Sequence, residues 1–279
     1  MRVVSGLEHL DHSADPVFVV VGVFDGLHLG HAYLLGHLVA EAARRAARPV
    51  VITFDHHPDE ILVGNAPPLL CDPRERLALL AAAGVDTTVV VHFDQRLRET
   101  TYGAFVAMIE ARAPIAGFLM TPDAAFGYRR EGTPDALAAL GREHGFEVVV
   151  VPPFDIDGRA VRSTDVRTEI TTGDLDAAAR LLGRPHTVVG DAVPAADGSV
   201  LRFALPVALP PDGEYAVTAG PASSHAGSEL GADEEAAEDL AAVPAVAVVD
   251  GGTVRLRAYD GSGPTRVAFA ADDPGGDAR

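Results

Sequence analysis

The sequence predicts a doubly wound α/β unit with a parallel, Rossmann-like sheet, followed by a smaller all-β unit resembling a barrel. Two observations carry this. Apolar, β-branched runs alternate with helical patterns through residue 182, and from about residue 190 short alternating runs take over, broken by glycine, proline and acids. The first pattern builds an open parallel sheet with helices on both faces. The second builds a small barrel or sandwich. The expected division is therefore 1–189 and 190–279, and 279 residues with 48% hydrophobic content suffice for two cores.

In chain order, residues 17–23 are nearly all apolar and β-branched, as in a strand buried on both faces. Residues 32–47 follow with Leu34, Leu35, Leu38, Val39 and Ala42 at helical spacing. Further strands are expected at 50–54, 87–93, 115–120 and 148–151, and further helices at 73–83, 102–111, 134–144 and 175–182. Beyond them come strand-like runs at 200–209, 215–219, 243–249, 253–259 and 265–270. Residues 221–239 hold Ser, Gly, Ala and acids with few large apolar side chains, the composition of a mobile loop or linker.

The formal charge is −18, and all 22 basic residues are arginines. A negative mean field opposes binding to nucleic acid, so no nucleic-acid partner is expected. An anionic substrate must be held locally by arginine, histidine, backbone N–H groups or a divalent cation. Cys71 is the single cysteine, which excludes an intrachain disulfide and a thiolate cluster. The first fifteen residues carry Glu8, Asp11 and Asp15 and lack an apolar core, and no run reaches bilayer length. The expectation is a cytoplasmic protein without a membrane partner; oligomeric state is not legible.

The stretch GVFDGLHLGH, Gly22 to His31, joins the first strand to the first helix. There, helix N–H groups lack intrahelical partners, and Gly26 and Gly30 leave room for phosphates near the main chain. His28 and His31 flank that position, where an imidazole can donate to a phosphoryl oxygen or, if protonated, offset charge on a leaving pyrophosphate. A glycine turn with two surface histidines, or a metal-binding pair, would have the same spacing. Ser163, Thr164 and Arg167 lie just ahead of a helical pattern, where hydroxyls cap free N–H groups and a guanidinium grips phosphate oxygens. An ordinary helix cap with a solvated arginine is the alternative. Arg130 stands in a glycine-flanked loop, Asp123 in a loop after an apolar run, and His57 at a strand end before Pro58.

Four blocks in order resemble the adenylyltransferase half of bacterial bifunctional riboflavin kinase/FAD synthetases, within the HxGH nucleotidyltransferases. GVFDGLHLGH matches GxFDGxHxGH. TFDHHP is similar to TFxPHP, with His57 and Pro58 retained and His56 where proline is usual. PDAAFGYRREG resembles GxDFxFGxxRxG, matching at Asp123, Phe126, Gly127, Arg130 and Gly132, with Thr121 and Ala124 for glycine and phenylalanine. VRSTDVRTEITTGDLDAAARLLGRPH resembles SSTxIRxxLxxGxxxxAxxLLGRPY, keeping Ser163, Thr164 and Arg167, with Arg162 for the first serine and His186 for tyrosine.

The resemblance implies an FMN adenylyltransferase that takes ATP, FMN and Mg²⁺. His28, His31, Ser163, Thr164 and Arg167 would act on the triphosphate. Gly22, Phe24, Asp25, Gly26, Gly30, His57, Asp123, Phe126 and Arg130 would bind nucleotide or flavin, and no side chain is assigned as a metal ligand. The same resemblance places a riboflavin kinase after residue 190, with a GxPTAN segment and a strand glutamate. Here LRFALPVALPPDGEY has no threonine or asparagine after Pro206, and TVRLRAYDG offers Arg255 and Arg257 where a carboxylate is wanted. That half reads as degenerate and without kinase activity. The alternatives are transfer to a flavin analogue or another phosphomonoester, and a non-catalytic flavin or nucleotide binder.

Overall fold

A computed structural model of the chain describes residues 1–222 and 242–270. The α/β unit runs β1 (Arg2–Ser5), β2 (Val17–Val21), α1 (Leu29–Arg44), β3 (Arg48–Phe54), α2 (Pro58–Leu62), α3 (Pro73–Ala82), β4 (Thr87–Val91), α4 (Gln95–Arg98), α5 (Tyr102–Glu110), β5 (Ile115–Met120), α6 (Pro134–His144) and β6 (Glu147–Val150). A short hairpin, β7 (Asp155–Ile156) and β8 (Arg159–Ala160), leads to α7 (Ser163–Thr172) and α8 (Leu175–Leu182). The barrel comprises β9 (Thr187–Ala195), β10 (Gly198–Arg202), β11 (Gly213–Pro221), β12 (Val243–Asp250), β13 (Thr253–Arg257) and β14 (Gly263–Phe269).

The six-stranded sheet has the order β1-β4-β3-β2-β5-β6, and every pairing is parallel. Strand β2 shows why both faces are covered. Val17 and Val19 join one core with Phe105, Ile109 and Leu137 from α5 and α6. Phe18 and Val20 join the opposite core with Leu35, Leu38 and Leu80 from α1 and α3. Side chains alternate across a strand, so an unbroken apolar run serves two layers. Chain order reverses at β2, since β3 and β4 lie on one side and β5 on the other, and such a switch opens a crevice at the carboxyl ends of the strands.

The structure departs from the expected elements at several points. β2 stops at Val21, and the first helix begins at Leu29, earlier than the apolar spacing indicates, because His28 caps it. Strand β1 is four residues long and pairs parallel to β4 at the sheet edge, too short to show a pattern. In the barrel, β9 was not among the expected strands: its Gly190, Asp191 and Pro194 mask the inward alternation of Val188 and Ala192. The expected strand 200–209 ends at Arg202, because Pro206 lacks the N–H a ladder needs and residues 203–209 contribute only the single bridge of Val207 to Leu69. The segment 221–239 lies outside the described residues from 223 onward, and Pro221 ends β11.

The barrel closes in the order β10-β13-β12-β11-β14-β9 with β9 pairing β10, all antiparallel. Ala192, Leu201, Val217, Ala247, Val254, Leu256, Val267 and Phe269 fill it. Between sheet and barrel, Leu70, Val166, Ile170, Ala178, Leu182 and Ala208 form a small separate core. No helix among the described residues is long and apolar enough to cross a membrane.

Candidate active site

After β2 the chain makes a strained turn into α1. The Gly22 N–H still donates to Ile52 O at 3.0 Å. Then Phe24 takes a left-handed conformation (φ 53, ψ 34), followed by positive φ at Gly26 (77) and Leu27 (34). Non-glycine residues hold such conformations only where their surroundings enforce them. Here the Phe24 ring lies over Gly22, where a Cβ would sit 2.9 Å from the ring. Three side chains anchor the carbonyls of Val23 and Gly26. Thr53 Oγ1 (3.0 Å) and Arg76 Nη1 (3.1 Å) donate to Val23 O, and Arg184 Nη2 donates to Gly26 O at 2.8 Å. Charge-assisted bonds of this kind fix a loop more firmly than neutral ones.

His28 is 4% exposed and is the N-cap of α1: its Nδ1 accepts the His31 backbone N–H at 3.3 Å. That bond requires an unprotonated Nδ1, so the ring proton sits on Nε2. The His28 and His31 rings stack 3.8 Å apart at 17°. Burial, then the Arg184 and Arg167 charges, push the His28 pKa down to about 4. Burial, then His28, hold His31 well below the usual imidazole range. Both rings are therefore neutral at pH 7 in these surroundings. His31 Nδ1 is buried without a hydrogen-bond partner.

Asp25 ties the turn to distant segments. It is 3% exposed, its carboxylate accepts Leu70 N–H at 3.0 Å, and it forms an ion pair with Arg167 Nη2. Arg167 Nε also donates to Pro68 O at 2.7 Å, and Ser163 Oγ donates to Asp25 O at 3.1 Å. The expected hydroxyl cap at the start of α7 is not made: Arg162 is the N-cap, without a side-chain bond, and Ser163 and Thr164 lie inside the first turn. The Ser163 hydroxyl is turned to the strained turn before α1 instead.

The opposite rim comes from β3 and β5. His57 caps α2, its Nδ1 accepting Asp59 N–H at 3.2 Å, and burial lowers its pKa. After β5, Thr121 Oγ1 donates to Asp123 Oδ1 at 2.8 Å, and Arg130 Nη2 donates to Asp123 O at 3.0 Å. Arg162 Nη2 stands 3.7 Å from Asp123 Oδ2. Phe126 packs on Phe105 and Phe118, with ring centroids 5.4 and 6.0 Å away.

A cleft of about 1300 Å³ opens at the carboxyl ends of the strands. Gly22, Phe24, Asp25, His31, His57, Asp123, Phe126, Arg130, Ser163, Thr164 and Arg167 all line it. His28, Gly26 and Gly30 do not: His28 lies beneath His31 as its stacking partner. At both glycines an added side chain would collide with protein. A Cβ on Gly26 would meet Leu70 Cβ at 2.8 Å, and one on Gly30 would meet Val161 O at 2.9 Å. Arg76 and Arg184, which hold the turn, were not singled out from the sequence. Arg184 stands within the LLGRPH block, whereas Arg76 shows only as one of two arginines at the start of α3.

A sequence profile described as FAD synthetase matches residues 10–165. The chain is 31% identical over 192 residues to the bifunctional riboflavin kinase/FMN adenylyltransferase of Haemophilus influenzae, covering 68% of this chain and 62% of that protein. With the protein of that description from Escherichia coli K12 the identity is 33% over 196 residues, 69% of this chain and 63% of the other. The match thus spans somewhat less than two thirds of these relatives. A crystal structure titled as a macrolide-efflux protein from Streptococcus pneumoniae has the same fold, with a TM-score of 0.75 at 22% identity over 99% of this chain and 93% of that one. With its profile covering the strained turn, the cleft's rim and the start of α7, the chain belongs to the FAD synthetase family.

Proposed function

We propose that this chain is an FMN adenylyltransferase: it moves the adenylyl group of ATP to the phosphate of FMN, giving FAD and pyrophosphate. The observation that carries the reading is the meeting of His31, the anchored turn, Ser163, Thr164 and Arg167 along one cleft that also holds Asp123 and Arg130. In the reaction an FMN phosphate oxygen bonds to the ATP α-phosphorus while the bond from that phosphorus to the β-bridging oxygen breaks. The nucleophile is already anionic, so the protein's task is positioning and charge stabilisation. Neutral His31 and the hydroxyl of Thr164 donate to phosphoryl oxygens, and the Ser163 hydroxyl, which donates to Asp25 O, joins them by turning from that carbonyl. Arg167, held by Asp25, supplies fixed positive charge without free rotation. His28 positions His31 by stacking and capping and is not itself a cleft group.

Magnesium fits this cleft as a companion of the nucleotide. The Asp25 carboxylate is taken by Arg167 and the Leu70 N–H, and Asp123 is engaged by Thr121 and Arg162, so phosphate oxygens and water would supply most of its ligands. When bound it would neutralise triphosphate charge.

The acceptor is open to a second reading, another phosphomonoester, favoured by Thr121: its hydroxyl holds Asp123 at the rim, at a position where the resembling block has glycine. In the barrel, Arg257 of β13 faces outward in an ion pair with Glu214, which supports a unit without phosphoryl-transfer chemistry. The test is pyrophosphate release from ATP or CTP with FMN, riboflavin or other phosphomonoesters. FMN with ATP should be preferred, and His31→Ala should lower turnover about 100-fold. Tight ligand binding without pyrophosphate would make the chain a binder, and near-normal turnover in the variant would remove His31 from the chemistry.

A further inference from the structure

We propose that Asp55, His56 and His92 form a binding site for one divalent transition-metal ion of the zinc class beside the cleft. Asp55 is the first residue after β3 and His92 the first after β4, and the two strands pair in parallel with Phe54 opposite Val91. The register thus brings both residues to the same end of the sheet, where Asp55 N–H donates to Val91 O at 3.2 Å. Asp55 Oδ2 lies 2.6 Å from His92 Nδ1, and Asp55 Oδ1 lies 3.2 Å from His56 Nδ1. One donor atom from each of the three residues falls within 4.8 Å of the others. The imidazoles converge edge to face, with centroids 5.9 Å apart.

A zinc ion about 2.0–2.2 Å from each nitrogen and oxygen needs donors roughly 3.3–3.5 Å apart, which small rotations of these side chains achieve. The carboxylate is already oriented: Asp55 Oδ1 accepts the backbone N–H groups of His56 (2.8 Å) and Phe93 (3.2 Å), the outer-shell support that ligating carboxylates have. Two imidazoles and one carboxylate suit Zn²⁺, Cu²⁺ or Ni²⁺ and are a poor set for Mg²⁺, which prefers oxygen. Both histidines are exposed, which leaves a coordination position for water. The three side chains lie outside the cleft lining, so the site does not depend on the nucleotidyl-transfer reading. Their neighbours His57 and Phe93 do line it, so a bound ion would pin two of its walls.

The experiment uses the full chain, stripped of metal with a chelator and titrated with ZnCl₂ against a chromophoric competitor. The same titration is run on His56→Gln, His92→Gln and the double variant, with circular dichroism as the check on folding. One equivalent of Zn²⁺ should bind the parent chain, each single variant should bind at least about tenfold more weakly, and the double variant should lose the site. Millimolar MgCl₂ should not displace the zinc. A parent chain that binds no zinc, or a double variant that binds it with unchanged affinity, overturns the proposal.

Discussion

Acidification should weaken this protein through two buried imidazoles, His28 at the strained turn and His186 at the foot of the barrel. Burial lowers both from 6.5 to about 4, with Arg184 depressing each further, although the bond to Ala208 O partly opposes the shift at His186. As the pH falls through 6.5 the unfolded chain takes up a proton at each site, while the folded chain resists until about pH 4. The stability these groups contribute is therefore complete above 6.5 and is lost across that window. Between pH 7 and pH 5 each histidine should remove about 2 kcal/mol, roughly 4 for the pair, a large share of an ordinary folding free energy. His186→Gln separates one site from every other titration: its amide can still donate to Ala208 O but carries no charge. Urea unfolding followed by far-UV circular dichroism at pH 7, 6 and 5 gives the comparison. Whatever the offset at pH 7, the variant should gain about 2 kcal/mol on the parent by pH 5. Parallel pH profiles would refute the assignment of a neutral, buried His186.

Two further perturbations test the geometry of the cleft. Arg167→Ala leaves the Asp25 carboxylate buried without its ion pair and should cost about 3–5 kcal/mol; Asp25→Asn on the same background should recover part of it, measured by urea midpoints. Gly26→Ala, at φ +77 with Leu70 Cβ 2.8 Å from the added atom, should destabilise by about 1–3 kcal/mol, whereas Gly36→Ala on the open face of α1 should stabilise by roughly 0.5–1.

The alternating layers were legible because the parallel sheet needs nearly unbroken apolar strands, and β2, β3, β4 and β5 have them. The barrel's first strand was hidden because its inward side chains are small, with glycine at 190 and alanine at 192, so burial there leaves little hydrophobic signal. Two histidines three apart beside glycines marked the turn that borders the cleft, although only His31 of the pair lines it. What escaped was support at a distance. Nothing near Arg76 in the sequence shows that its guanidinium reaches the carbonyls of Val23 and Phe54, because that contact is created by the crossing of α3 over the ends of β2 and β3. In the same way, Asp25 and Arg167 are 142 residues apart, and only folding makes them an ion pair.

Residues 69 and 70 join the two units by an unusually direct route. Leu69 N–H donates to Pro206 O at 2.9 Å, and Ala208 N–H donates to Leu69 O at 2.8 Å, while the next amide, Leu70 N–H, holds the Asp25 carboxylate. A shortened protein ending after α8 would retain every side chain that lines the cleft. It would nevertheless lose the partners that hold residues 69 and 70 beneath the turn, so cutting the chain after the last helix should loosen the Asp25 anchor, and the C-terminal unit acts as a structural brace for the cleft.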